Sequence, residues 1–487
     1  MTGRHHPRLI LPILFAAWIA MTSAALSAGE WPQFRGPQGL GIAPGETLPA
    51  ELSLEKNLAW QTPVPPGFSS PVLTEDRIFL TAYEGEKGSE TLLTICINRA
   101  DGKVLWRREA PRPRQEPYNQ IHGPASTSPV TDGENVYVFF GDFGLLSYDG
   151  DGNERWRVPL GPFANRNGHG SSPIVVDDML ILICDQDTVS YILALNKHDG
   201  SVRWKVDRPG ITRGYATPAI LRPKNGPAEV IAPGAYFLVS HSLETGEALW
   251  RVGKMPWQVR GVPVIDGDTI YFNAWESGGG TNSDEIPSFE DVLKNHDADG
   301  DGKISPAEHP NPRMNKLGPT WEDFDLDDDG FFDARDWLFY RGRLTSESSM
   351  SAIRPHGARG DLTDTHVLWR YYKSLPNSAT PLLYENVLYL VKDGGILTTL
   401  DPKTGNVLKQ DRLPNALEKY WASPVAGDGK IYMTDEACTV SVLKPGGAWE
   451  VLVSNDLPGE CYATPAIADG RLYLRTSEAL YSFGARN

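Results

Sequence analysis

The sequence predicts an all-β protein built as an eight-bladed β-propeller of four-stranded blades. Three observations predict it. First, a step of two small residues and a proline recurs at Pro71, Pro129, Pro173, Pro218, Pro263, Pro381, Pro424 and Pro465, at intervals of 58, 44, 45, 45, 118, 43 and 41 residues. Second, each step leads through a turn such as Asp132-Gly133 or Asp428-Gly429 into short Val/Ile/Leu/Tyr runs. With Gly at 48 and Pro at 39 of 487 residues, and few long amphipathic stretches, this is strand-and-turn composition. Third, a glycine precedes a tryptophan by four in Gly102/Trp106, Gly152/Trp156, Gly200/Trp204 and Gly246/Trp250. A period of 41 to 50 residues with four strands per unit means a propeller. A chain of 487 residues is long for one compact core but ordinary for such repeats.

The elements follow in chain order. In residues 1–28, Arg4 and Arg8 precede an uncharged stretch, Leu9 to Leu26, with small residues at Ala25, Ser27 and Ala28. That is a secretory signal pattern, and the chain is expected to be exported, periplasmic or extracellular, with no stable membrane span after cleavage. An uncleaved anchor helix is the alternative. Residues 29–56, with Trp31-Pro32-Gln33-Phe34-Arg35-Gly36-Pro37, are expected to pack across the propeller surface. The last unit, Cys461 to Phe483, lacks an outer strand, and Asn57 to Val64 with Trp60 supplies it. Such a closure leaves no open sheet edge. Residues 57–275 then hold blades one to five, and 348–487 the remainder. The recurring tryptophans read as packing between blades. In the sixth repeat Gly405 is followed by Lys409 instead.

The one anomalous interval contains an insertion, residues 276–347. Residues 297–308 read D-A-D-G-D-G-K-I-S-P-A-E. Asp297, Asp299 and Asp301 hold positions 1, 3 and 5 of a twelve-residue loop, Gly302 the sharp turn at 6, Lys303 a backbone carbonyl at 7, and Glu308 two oxygens at 12. That is the oxygen-rich set a hard cation such as Ca²⁺ requires in an EF-hand. A second loop begins 28 residues on with Asp325, Asp327, Asp329, Gly330 and Phe331, passes Asp333 and ends at Asp336. Its twelfth residue is one methylene shorter than Glu, which weakens Ca²⁺ or favours a smaller ion. Asp at this position also occurs in dockerin-type loops. Phe289, Val292, Leu293 and His296 mark an entering helix, and Ile304 and Phe332, both at position 8, are placed to bridge the loops.

Charge narrows the partners. With 46 basic and 62 acidic residues, the net charge of −16 argues against nucleic acid or an anionic membrane surface. Cys96, Cys184, Cys438 and Cys461 are too few and too scattered for a disulfide scaffold or zinc site and are read as small buried apolar residues, although Cys438 and Cys461 meet if neighbouring elements pair. No nucleophile elbow, paired-His motif or phosphate loop is present in the sequence, and no catalytic residue is assigned.

The steps, with strand ends such as Asn98-Arg99-Ala100-Asp101-Gly102-Lys103-Val104-Leu105-Trp106 and Ser242-Leu243-Glu244-Thr245-Gly246-Glu247-Ala248-Leu249-Trp250, resemble the pyrroloquinoline-quinone-like propeller family. That family includes quinoprotein alcohol dehydrogenases and outer-membrane assembly factor propellers. The resemblance covers residues 57–487 apart from the insertion and speaks to fold more than function. It implies that residues before each step ring the channel mouth: Arg166, Gln258, Asn377 and Tyr462 stand there, and His122, His169, Arg213, Tyr215, Arg260, Tyr420 and Trp421 are the candidates for a cofactor. The insertion should emerge on the same face. Two functions compete: a non-catalytic scaffold for a protein partner or cell-envelope component, binding Ca²⁺ through the insertion, and a dehydrogenase with pyrroloquinoline quinone (PQQ) in the funnel. The quinoprotein pattern includes adjacent cysteines, and no two are adjacent here. The first function is the expectation.

Overall fold

Eight antiparallel blades stand around a central channel, six as sheets of four strands and two carrying a fifth. The computed structural model describes residues 29–43, 45, 47–119, 123–277, 279–282 and 285–484. Residues 1–28, expected to be a signal segment, and His122 lie outside them. Blade one shows the plan, running outward through Val72–Leu73, Arg77–Glu84, Thr91–Asn98 and Val104–Glu109. Blade eight is composite. Leu58–Pro63 pairs antiparallel with Ala479–Phe483, Leu58 opposite Phe483 and Pro63 opposite Ala479. The ring is closed by its N-terminal strand, as the missing outer strand required.

The core is distributed among the interfaces between blades. Phe79, Cys96 and Trp106 of blade one pack on Val136, Val138 and Tyr148 of blade two. Tryptophan and glycine form one joint. Trp106 Nε1 donates to Gly150 O in the next blade at 2.9 Å, and a Cβ on Gly152, whose φ is +80°, would stand 2.7 Å from the Trp106 ring. Each glycine thus seats the tryptophan of the preceding blade. This explains why Gly405 persists where its own blade carries Lys409: Trp369 of blade five lies over it. Lys409 places its ammonium 3.9 Å from the Trp449 ring centre.

The residue before each proline has a role that the repeat pattern did not reveal. The main-chain N–H of Ser70 donates to Ser128 Oγ, Ser128 to Ser172 and Ser172 to Thr217. Val262 donates to Thr380, Thr380 to Ser423, Ser423 to Thr464 and Thr464 back to Ser70. These seven bonds, 2.9–3.1 Å long, form a belt of hydroxyls around the channel. It is open only between Thr217 and Val262, whose side chain has no hydroxyl to accept.

Residues 29–56 cross the face opposite the mouth. Trp31 bridges to Leu73 in blade one, and Thr131 N in blade two donates to Pro32 O. Ile42–Ala43 then runs parallel to the inner strand of blade seven. Between these anchors Arg35 is fully buried, donating to the carbonyls of Thr380, Pro381 and Pro424. The surface packing expected of this segment therefore extends into the channel itself.

The cysteine reading needs one correction. Cys96 and Cys184 are free and buried, but Cys438 and Cys461 form a disulfide. Leu457 N donates to Cys438 O and Cys461 N to Glu436 O, so a hairpin turn of blade seven and the step into blade eight lie side by side. The pairing of neighbouring elements, the condition on which the sequence allowed these two cysteines to meet across 23 residues, is fulfilled here.

The insertion leaves blade five after Thr269–Ala274 and returns at Ser349–Ile353, strands paired in register with Ile270 opposite Ile353. It holds helices α1 (Phe289–His296), α2 (Pro319–Glu322) and α3 (Ala334–Thr345). Ser288 caps α1, and Asp333 with Asp336 forms a capping box on α3. A separate core of Val292, Ile304, Trp321, Phe332 and Trp337 holds the module together.

Candidate functional site

The two acidic loops share three main-chain hydrogen bonds to their first and last carboxylates. The N–H at position 6 donates to the carboxylate at position 1, Gly302 to Asp297 at 3.1 Å and Gly330 to Asp325 at 2.8 Å. The N–H groups at positions 2 and 9 donate to the carboxylate at position 12, from Ala298 and Ser305 to Glu308 and from Leu326 and Asp333 to Asp336. Ile304 and Phe332 exchange two main-chain bonds of 2.9 Å each, joining the loops back to back.

Within each loop three carboxylates converge. One oxygen from each of Asp297, Asp299 and Glu308 lies within 4.8 Å of the others, and so do those of Asp325, Asp327 and Asp336. Asp301 and Asp329, at position 5, stand outside these triads. Asp301 accepts Lys303 N, and Asp329 accepts both Phe331 N and the Lys303 ammonium. Lys303 and Phe331 hold position 7, where only a carbonyl is needed. The second loop is the more enclosed, with Asp325 and Asp336 buried. Burial drives the Asp336 carboxyl up to about 7, and raises Asp325 as well. A divalent cation would offset that desolvation, so hard oxygen donors at this density fit such an ion.

The module is docked on the mouth face. Arg166 pairs with Asp328 and donates to Asp325 O at 3.1 Å. Arg335 of α3 donates to the carbonyls of Asp187, Gln186 and Ile211. Phe339 meets the Trp257 ring edge-on at 5.3 Å between centres and lies under the Arg213 guanidinium. The second loop and α3 form this contact, with the connections of blades two to four.

Beside the module the channel mouth opens into a cavity of about 410 Å³. Phe34, brought up from the opposite face, is among its lining residues, so the N-terminal segment shuts the channel beneath it. Tyr215, Arg260 and Trp421 line the cavity. Tyr215 OH accepts Asn167 Nδ2 at 2.9 Å. Arg260 is held by Glu276 at 2.7 Å and Asn377 at 3.1 Å. His169, Arg213 and Tyr420 sit behind the rim. His169 stands edge-on between Phe139 and Phe163, its nitrogens unpartnered and its pKa lowered to about 4 by burial and by Arg114. Arg213 is buried against Asp187 at 2.7 Å, and Tyr420 OH donates to Ala416 O. Gln258, Asn377 and Tyr462, also expected at the mouth, line the cavity, whereas sequence reasoning missed Phe34. Phe34 was hidden in a remote segment, while Tyr462 was marked by its place before a Thr-Pro step.

Comparison with known proteins agrees with this geometry. The sequence profile described as outer membrane protein assembly factor BamB matches residues 53–184 and 94–277. The crystal structure of BamB from Moraxella catarrhalis superposes with TM-score 0.55 at 13% identity, covering 88% of this chain and 99% of that one. The profile match spans less than half of the chain, and over the rest the likeness to the pyrroloquinoline-quinone-like propellers is one of fold. Two dehydrogenases share the fold. A europium-containing methanol dehydrogenase gives TM-score 0.59 at 8% identity over 94% of this chain and 98% of that one. The quinohemoprotein alcohol dehydrogenase of Comamonas testosteroni gives 0.57 at 12% over 94% and 80%. At these identities the likeness is one of fold. No curated protein matches by sequence.

The cavity does not suit the quinone that gives this propeller family its name. Pyrroloquinoline quinone is a tricarboxylate, and such a ligand calls for cationic partners. Among the described lining residues Arg260 is the only cation, and Glu276 already neutralises it. Among the described residues no carboxylate lines the cavity to hold a metal beside the ring, and neither half of the Cys438–Cys461 disulfide does.

Proposed function

We propose that this protein is an exported, calcium-binding scaffold. The propeller presents surfaces to a protein partner or cell-envelope component, and the paired EF-hand loops of residues 276–347 take Ca²⁺. The observation that carries the reading is the convergence of two carboxylate triads in loops that share the bonds to their first and last carboxylates. Ca²⁺ in the second loop stiffens the start of α3, where Asp336 serves both triad and capping box, and so steadies the module on the mouth. Export supports filling, since weak sites are occupied at the high Ca²⁺ of extracellular media. The signal pattern of residues 1–28 supports export, and the match to an outer membrane assembly factor profile supports a binding role. Among the described residues no helix is long and apolar enough to cross a membrane.

Calorimetric titration of the calcium-stripped protein with CaCl₂ tests this. Two binding events are expected. Asp297→Ala weakens Ca²⁺ uptake more than Asp325→Ala, because the first loop ends in Glu308 and the second in the shorter Asp336. Absence of Ca²⁺ binding, or the reverse order of the two variants, overturns the assignment.

A further inference from the structure

We propose that the mouth cavity is a second binding site, for a neutral polyhydroxylated ligand: a sugar unit at the end of a glycan or as a free oligosaccharide. This inference is independent of the calcium reading.

Electrostatics sets the ligand class. The sole cation among the described lining residues, Arg260, is compensated by Glu276, and no carboxylate faces the space. A charged ligand would lose its hydration there without gaining a counter-charge. A neutral one meets no such penalty. The polar groups that remain are amides and hydroxyls, among them Asn167, Gln258 and Asn377. Amides both donate and accept, which suits a ligand whose every hydroxyl does the same.

Two lining groups lack partners. The Trp421 indole N–H and the Ser378 hydroxyl are enclosed with no hydrogen bond to the protein, a state that costs free energy unless a ligand completes it. The aromatic part of the wall, Trp421 with Phe68 and Tyr462 in edge contact at 5.1 Å, offers flat apolar faces to the C–H face of a sugar ring. Phe34 closes the far end, so a chain enters by its terminus and does not thread through. A volume of about 410 Å³ falls within the range of small-molecule sites.

The test is calorimetric titration of the full exported protein with maltose, cellobiose and N,N′-diacetylchitobiose, using galacturonate and tetra-alanine as comparison ligands. Saturable one-to-one binding of at least one neutral disaccharide is expected, with galacturonate and the peptide silent. Trp421→Phe keeps the ring and removes the N–H, and it should lower affinity about tenfold. Ser378→Ala provides a second, smaller change if the first variant folds poorly. A tetrasaccharide of the binding series separates the two sources: equal or tighter binding marks a glycan end, weaker binding a free disaccharide. Silence of all three sugars up to millimolar concentrations, preference for galacturonate or tetra-alanine, or full affinity in both variants overturns the proposal.

Discussion

Replacing Ser128 by alanine removes one link of the hydroxyl belt. Ser70 N donates to Ser128 Oγ at 2.9 Å, and both residues are 2% exposed, so water cannot readily replace the lost acceptor. A buried N–H left without a partner costs about 1–3 kcal/mol. Because a chain of this size need not unfold in one step, the local opening of blade one is the better readout. Hydrogen exchange in a peptide spanning residues 66–74 should accelerate roughly 5- to 150-fold, the equivalent of about 1–3 kcal/mol. Ser128→Thr, which keeps the oxygen, should restore most of the protection. The converse substitution lies at the one gap. Val262→Thr offers Thr217 N an acceptor, and it should stabilise the junction of blades four and five by up to about 1 kcal/mol, less the cost of burying its hydroxyl. If Ser128→Ala exchanges within twofold of the parent, or Ser128→Thr behaves like alanine, the belt does not hold the ring.

Other expectations are sharp enough to check. Arg335→Ala removes three donations to propeller carbonyls, and limited proteolysis should then release the 276–347 module while its Ca²⁺ titration stays intact; unchanged resistance would refute the docking role. His169 is buried with a pKa lowered to about 4, so both folded and unfolded forms are neutral above pH 6.5. As pH falls from 6.5 towards 4 only the unfolded chain gains the proton, and stability drops by up to about 3 kcal/mol. His169→Phe should flatten acid destabilisation across that window in a denaturant series; an unchanged slope would refute it.

The propeller was legible because its constraints repeat. Every blade needs the same turn, the same glycine seat and the same step, so the period and even the strand borrowed from residues 57–64 could be read from spacing. The acidic loops were legible for a different reason: ligand geometry fixes residue type at fixed local offsets, and Ile304 meets Phe332 because both hold position 8. What remained hidden depends on contacts between distant segments. Nothing local distinguishes Phe34 as the floor of a cavity, Cys438 as the partner of Cys461, or Arg213 as an ion-paired strut behind the rim. The Ser/Thr of each step was visible as a pattern, yet its purpose lies in the next blade.

Closing the circle with its first strand also dictates when the protein can finish folding. Leu58–Pro63 finds its partner only when Ala479–Phe483 has been made, and Arg35 waits for carbonyls at Thr380, Pro381 and Pro424. Pairings so remote in the chain are slow to form. Until synthesis is complete, the nascent molecule is an open fan with a bare strand edge at the end of the series, the kind of edge that invites aggregation. Removal of Ala479–Phe483 would leave Leu58–Pro63 with no strand to pair with and the ring unclosed.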